Sequence, residues 1–105
     1  MPYRVIYSER AKSDLLNIER YISDAGSPAN AKAYVTAFVA KCDGLAAAPY
    51  QGTCRDHLLP GLRTAGFLGR VTIAFRVTVE TIRIVGIFYG GRSLEKNLKH
   101  TPQAP

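Results

Sequence analysis

The stretch LRTAGFLGRVTIAFRVTVETIRIVGIFYGGR, residues 62–92, decides the fold of this 105-residue chain. Its middle part alternates apolar residues with polar or small ones, and the apolar set is Val71, Ile73, Phe75 and Val77. A period of two predicts a strand with one buried face. Residues 82–88 are apolar on both faces, which is typical of a strand inside a sheet. With residues 62–67, the stretch predicts three strands joined by tight turns.

Val79 and Glu80 are positioned as a two-residue hairpin loop, which fixes the register of the last two strands. The apolar pairs on one face are then Val77 with Ile82 and Phe75 with Ile84. On the other face, Arg76 lies directly opposite Arg83. Like charges in such a pair are destabilising by up to roughly 1 kcal/mol. Either both guanidiniums extend into water, or an anion or acidic partner lies over them.

The N-terminal half contains a strand signal and two helical patterns. Residues 3–7, YRVIY, combine aromatic and β-branched residues and predict a strand. Ser8 is positioned as the N-cap of a helix that ends at Gly26, and Ser27 as the N-cap of a second helix that ends at Pro49. Because the connection between the helices is short, we expect an antiparallel helix hairpin.

Each helix carries an apolar stripe at helical spacing, which we interpret as its core-facing side. The first stripe consists of Ala11, Leu15, Ile18 and Ile22, widened by Leu16 and Tyr21. The second consists of Ala31, Tyr34, Val35, Phe38, Val39, Cys42, Leu45 and Ala46.

The predicted element order is β-α-α-β-β-β, which indicates an α+β fold. We expect an N-terminal strand and an antiparallel two-helix hairpin packed on a small, mainly antiparallel sheet, with the first strand joining that sheet. Residues 1–95 are predicted to form a single domain, and residues 96–105 a flexible C-terminal tail.

Charge is distributed unevenly in this chain of net charge +6. Residues 1–49 contain six basic and five acidic residues, whereas residues 50–105 contain eight and three. A basic surface suits an acidic protein or a nucleic acid as partner. No apolar run reaches the ~18 residues that would cross a membrane, and the first residues lack the apolar core of a signal peptide. We therefore expect a cytoplasmic protein.

The sequence predicts no catalytic residue, cofactor or metal site. Cys42 and Cys54 are too few for a disulfide framework and lack metal-ligand spacing. His57 follows Asp56 in a loop, where it is either a general base or a solvated histidine, and no nucleophile accompanies the pair. Arginine stays protonated and cannot exchange a proton at neutral pH. These residues favour a binding protein over an enzyme.

The motifs, taken in order, resemble those of the ParE branch of the RelE/ParE toxin–antitoxin superfamily. The opening YRVIYSERAKSDLLNIERYI is similar to the family's first strand running into an Ala-x-x-Asp-Leu helix, here Ala11, Asp14 and Leu15. Further matches are Ala31, Tyr34, Leu45 and Pro49, the loop residues Gly52 and Arg55, Pro60-Gly61-Leu62-Arg63, and the ending IFYGGR with Gly91-Arg92. The resemblance covers about residues 3–95.

The resemblance implies a toxin of a type II system that poisons DNA gyrase. It also implies a hetero-oligomer with a small cognate antitoxin, often a ribbon-helix-helix DNA-binding protein whose acidic C-terminal segment wraps the toxin. RelE-type relatives instead cut messenger RNA on the ribosome. Residues 50–95 contain no lysine and only one histidine, which leans against that chemistry. A toxin homologue without gyrase activity is a further alternative.

Two surfaces are predicted from these considerations. The predicted antitoxin contacts are Tyr34, Phe38, Arg63, Arg76 and Arg83, across the helix hairpin and the arginines of the sheet. The predicted toxicity determinant is Tyr89, Gly91 and Arg92, because glycines permit unusual backbone shapes and arginine offers a fixed fork of donors.

Overall fold

The computed structural model describes residues 3–68 and 71–89. Its elements are β1 (Arg4–Tyr7), α1 (Glu9–Asp24), α2 (Pro28–Ala47), β2 (Thr53–Cys54), β3 (Leu62–Phe67), β4 (Val71–Val77) and β5 (Thr81–Tyr89). The strands form one sheet in the order β1-β5-β4-β3-β2. β1 runs parallel to β5 and the other neighbours are antiparallel. The predicted α+β fold is confirmed, with the two-residue β2 as an unpredicted addition, and the predicted tail lies outside the described residues.

Both helices begin at the predicted serines. The hydroxyl of Ser8 accepts a hydrogen bond from the backbone N–H of Ala11, and that of Ser27 from Asn30. Each bond satisfies one of the N–H groups that the first turn leaves unpaired. Between the helices, Gly26 has a φ of +123°, a conformation that favours glycine. The chain can therefore reverse within a few residues and form the hairpin.

Helix α1 covers the edge of β5 where β1 no longer reaches. β1 pairs with β5 only as far as Ile84. Beyond that point, the Ser8 hydroxyl donates to the Val85 carbonyl at 2.9 Å, and the Asp14 carboxylate accepts from the Ile87 N–H at 3.0 Å. Ala11 is completely buried at this contact. In the Ala-x-x-Asp-Leu pattern, Ala11 thus lets α1 approach β5 closely. Asp14 accepts a hydrogen bond from β5 that a neighbouring strand would otherwise accept.

The main core lies between the helix hairpin and one face of the sheet. Its fully buried side chains include Phe38, Cys42, Leu45, Ile73, Phe75, Ile82 and Ile84. The predicted stripes are largely confirmed, but Leu16, Tyr21 and Val39 were assigned wrongly, since they are 57%, 68% and 39% exposed. Burial raises the pKa of the Cys42 thiol to about 11, so Cys42 is a packed thiol at neutral pH.

A smaller cluster covers part of the opposite sheet face. Leu58 and Leu59 pack against Leu62, Ala74 and Phe88. The connection between β2 and β3 therefore folds over the sheet, and the protein has an apolar layer on both sides of β4. The helix hairpin covers only one of these sides, which leaves the two faces chemically different.

Two kinds of feature are absent from residues 3–68 and 71–89. None of their helices is long and apolar enough to cross a membrane. Their histidine, cysteine, aspartate and glutamate side chains form no group of three or more that could hold a metal ion.

Candidate partner-binding site

The predicted arginine opposition is present in the sheet. Arg76 of β4 is the cross-strand partner of Arg83 of β5. The neighbouring apolar pairs are Val77 with Ile82 and Phe75 with Ile84, as predicted. The hairpin is closed by a hydrogen bond of 2.9 Å from the Thr78 N–H to the Thr81 carbonyl. The register of the last two strands near their loop was therefore predictable from the alternation of residues.

Arg63, which was predicted as an antitoxin contact together with Arg76 and Arg83, does not lie on the same face of the sheet as those two residues. It pairs with Phe75, and cross-strand partners share a face, so it lies on the helix side. Its guanidinium donates to the carbonyls of Tyr50 and Gln51 at 2.6 and 3.0 Å. Arg63 therefore links β3 to the segment that follows α2 through two hydrogen bonds.

Phe38 is a core residue, which corrects its predicted position on a binding surface. Its side chain is 0% exposed. The ring stands edge-on to Phe67 with centroids 5.4 Å apart. The physical reason for the error is that a helical stripe does not reveal which of its members the sheet covers completely. Tyr34, one turn earlier in α2, is only half-buried. Its ring also stands edge-on to Phe67, with the ring centroids 5.3 Å apart.

Tyr34 and Tyr89 line one apolar groove, which has a volume of about 490 Å³. α1, α2, the turn after β3 and the ends of β4 and β5 form its walls. The lining residues are Asp14, Asn17, Ile18, Tyr21, Ile22, Tyr34, Leu68, Val71, Ile87 and Tyr89. Large apolar side chains stand at its rim with substantial exposure, namely Tyr21 at 68%, Leu68 at 63% and Tyr89 at 49%. A concave apolar surface with aromatic rims is typical of a binding site for a partner.

The hydroxyl group of Tyr34 is buried without a hydrogen-bond partner in the described part of the chain. Burial, and secondly the nearby Tyr89, raise the pKa of Tyr34, so the phenol is neutral at physiological pH. Leaving such a group unpaired costs about 1–3 kcal/mol. The groove wall therefore holds an unpartnered polar atom that a bound partner reaches only by displacing the side chains that cover it.

The remaining predicted residues are distributed as follows. Tyr89 lines the groove, whereas Gly91 and Arg92 lie outside the described residues. The groove residues Tyr21 and Leu68 were missed by sequence reasoning. Tyr21 was assigned to the core-facing stripe of its helix, and only the structure shows that it is exposed at the groove. Leu68 reaches the groove from a turn with a φ of +36°, a conformation that composition does not reveal.

The Asp56–His57 pair is not built as a catalytic pair in the structure. The Asp56 carboxylate accepts from the Gly61 N–H at 2.8 Å and from the Cys54 thiol at 2.9 Å. These two bonds, the thiol contributing more, lower the pKa of Asp56. The carboxylate therefore closes the loop after β2, and the groove lies elsewhere.

The helix hairpin on a mixed five-stranded sheet matches the fold of chains from two solved toxin–antitoxin systems. The structure is similar to a chain of the chromosomal ParDE system from P. aeruginosa, with a TM-score of 0.72 and 25% identity, covering 84% of this chain and 96% of that one. It also resembles a chain of the RelBE2 toxin–antitoxin complex of Mycobacterium tuberculosis, with a TM-score of 0.55 and 20% identity, covering 85% and 99%.

The sequence identifies the family within that fold. Residues 5–94 match the family described as ParE toxin of the type II toxin–antitoxin system parDE. The chain therefore belongs to the ParE toxin family. No match is found among curated protein sequences.

Proposed function

We propose that this ParE toxin inhibits DNA gyrase in the cytoplasm and is neutralised by a small cognate antitoxin bound in the groove. The observation that carries the proposal is the position of two residues. Tyr34, a predicted antitoxin contact, and Tyr89, a predicted toxicity residue, line the same groove. An antitoxin bound beside Tyr34 would cover Tyr89, and neutralisation would then follow from direct occlusion of the target-binding surface.

The chemistry of the groove favours an amphipathic segment. Its rim is aromatic and aliphatic, and amphipathic helices bind grooves of this kind through apolar side chains spaced by three or four residues. The net charge of +6 favours acidic residues on the other side of that segment. Such a segment, the C-terminal part of a ribbon-helix-helix antitoxin, would fold as it binds. Arg76 and Arg83 are proposed outer contacts of its acidic side, reached only around the edge of the sheet.

Inhibition by binding, without catalysis, agrees with the side chains at the groove. Among residues 3–68 and 71–89, the polar groups there are phenols, one amide and the Asp14 carboxylate. That carboxylate already accepts the Ile87 N–H and pairs with Arg10 at 3.4 Å. Moving protons in RNA cleavage requires a free acid and base within reach of the substrate.

The test is a DNA-supercoiling assay with purified gyrase, titrated with this protein in the presence and absence of its antitoxin. We expect inhibition that the antitoxin reverses. The Tyr89→Ala variant should inhibit less, and Val79→Ala, at the 92% exposed tip of the hairpin, should inhibit like the parent. If gyrase stays active at large molar excess while ribosome-bound messenger RNA is cut, the RelE-type function replaces the proposed one.

Arg92 provides a second test of the same proposal. At equal expression in growing cells, Arg92→Ala should arrest growth less than the parent chain, because a guanidinium offers paired donors to a carboxylate or phosphate of the target. The matched substitution Arg20→Ala removes an exposed arginine from the surface of α1 and should arrest growth fully. Equal arrest by both variants would remove Arg92 from the toxicity surface.

A further inference from the structure

The sheet face that the helices leave uncovered carries arginines on three neighbouring strands. Arg83 of β5 lies beside Arg76 of β4 on one side and beside Ile6 of β1 on the other. Arg4, two residues before Ile6, lies on the same face, since side chains two apart along a strand point the same way. We call Arg4, Arg76 and Arg83 the arginine face.

The three guanidiniums are available for a partner. Within residues 3–68 and 71–89, the side chains of Arg4, Arg76 and Arg83 make no hydrogen bond or ion pair. Arg4 is exposed and the other two are half-exposed. Thr78 and Thr81 lie at the hairpin end of this face, where their hydroxyl groups hydrogen bond to each other. Unpaired like charges at cross-strand positions are destabilising, and a bound anion would remove that cost.

The shape and composition of the face restrict the partner. An amphipathic protein segment requires an apolar groove, and the groove of this protein lies on the helix side. Single-stranded nucleic acid binds through exposed aromatic rings on which its bases stack. Phe88, the aromatic residue on this face, is 3% exposed and has the Arg10 guanidinium 4.8 Å above its ring. The face offers positive charge and hydroxyl groups without a stacking surface.

We propose that the arginine face binds the phosphodiester backbone of duplex DNA, without sequence preference. Neighbouring strands lie about 4.8 Å apart, so three strands place guanidiniums across roughly 10 Å. Duplex DNA carries one negative charge per about 1.7 Å of axis, which gives each guanidinium a phosphate within reach. Contacts to phosphates position a protein on DNA and carry no direct sequence information.

This DNA-binding surface is separate from the groove. Tyr89 pairs with Val71, whose side chain belongs to the core under the helices, so the groove and the arginine face lie on opposite sides of the sheet. Duplex DNA and the part of an antitoxin segment that lies in the groove could therefore be bound at the same time, whereas DNA would compete with the acidic side of that segment for Arg76 and Arg83. The inference goes beyond gyrase inhibition, and its failure would leave that proposal unchanged.

The experiment measures binding of the full chain to a short fluorescein-labelled DNA duplex of mixed sequence, by anisotropy at several salt concentrations. The test variant is Arg76→Gln/Arg83→Gln. The matched control is Arg20→Gln/Lys32→Gln, which removes the same charge from exposed positions on the helices. Three phosphate contacts predict a slope of about −2.7 for log affinity against log salt, and the test variant should lower its magnitude by about 1.8. The control should keep the parent slope.

Several results would overturn the proposal. Test and control variants of equal affinity would mean that overall charge alone attracts DNA. Tighter binding to a single strand than to the duplex, or full competition by polyglutamate, would identify a different partner. The variant Arg76→Lys/Arg83→Lys distinguishes loss of charge from misfolding. It keeps both positive charges, so its binding should show the salt slope of the parent. Loss of binding in this lysine variant with an unchanged melting temperature would also contradict phosphate contact.

Discussion

The carboxylate of Asp14 in α1 accepts a hydrogen bond of 3.0 Å from the backbone N–H of Ile87 in β5. The two residues are 73 positions apart. Ile87 is buried, so its N–H has no water as an alternative partner. The Asp14 side chain thus provides a hydrogen-bond acceptor for a backbone N–H of β5 that lies beyond the end of the neighbouring strand β1.

Asp14→Ala should lower the free energy of unfolding by about 1–3 kcal/mol, because it leaves a buried N–H unpaired. It also removes the ion pair with Arg10. Asp14→Asn keeps an oxygen acceptor and should lose less. Urea unfolding at equal protein concentration measures both. Equal stability of Asp14→Ala and the parent would mean that the hydrogen bond contributes nothing.

The sequence predicted the helices, the register of β4 and β5 near their loop and the core side of β4, because those features depend on local periodicity. Ser8, Ser27 and the Arg76–Arg83 pair were placed by spacing and capping alone. The groove was not predictable in the same way. It depends on how α1 and α2 pack beside the ends of β4 and β5, which is a property of contacts between distant segments. The two-residue β2 was missed because its pairing depends on a glycine contact that no pattern marks.

That contact involves Gly52, which passes close to β3. Its φ is +84°, and a Cβ placed there would lie 2.4 Å from the carbonyl oxygen of Thr64. Gly52→Ala should therefore lower the free energy of unfolding by about 1–3 kcal/mol. Gly44→Ala is the matched control, since Gly44 lies in α2 with open space around it. It should stabilise the protein by about 0.5–1 kcal/mol. If thermal unfolding shows that both substitutions change the free energy of unfolding in the same direction, this account is contradicted.

Phe38 should affect antitoxin binding only through the fold. Phe38→Ala removes a completely buried ring and should lower the free energy of unfolding by about 3–5 kcal/mol. Val39→Ala, at an exposed neighbouring position, should change it by only about 0.5 kcal/mol. Phe38→Leu retains an apolar side chain, and its antitoxin affinity by calorimetry should equal that of the parent. A large loss of affinity in a folded Phe38→Leu protein would restore Phe38 as a direct contact.

Arg83→Glu should stabilise the free protein, because it replaces a like-charge pair with an attractive one opposite Arg76. The expected gain is about 0.5–1 kcal/mol at low salt. It should diminish in 1 M salt, where charges are screened beyond about 3 Å. Lys32→Glu makes the same change of charge on an exposed part of α2 and should give a smaller gain. Urea unfolding at two salt concentrations separates the pair from the effect of net charge.

Tyr34→Phe removes the unpartnered hydroxyl group and leaves the packing of the ring against Phe67 in place. The free toxin should be as stable as the parent or more stable, because a buried polar group without a partner costs about 1–3 kcal/mol. Antitoxin affinity should fall, because we expect the bound segment to displace the side chains that cover the hydroxyl and to hydrogen bond to it. A net hydrogen bond of about 1 kcal/mol corresponds to a loss of roughly five-fold.

Tyr50→Phe is the matched control, since Tyr50 is exposed and does not line the groove. Its affinity for the antitoxin should equal that of the parent. Calorimetric titration of each toxin variant with the antitoxin, together with thermal unfolding of the free toxins, distinguishes binding from folding. Unchanged affinity for Tyr34→Phe would place the antitoxin away from this wall of the groove. Weaker binding together with undiminished stability would place a polar group of the antitoxin against the Tyr34 hydroxyl, in the groove that Tyr89 shares.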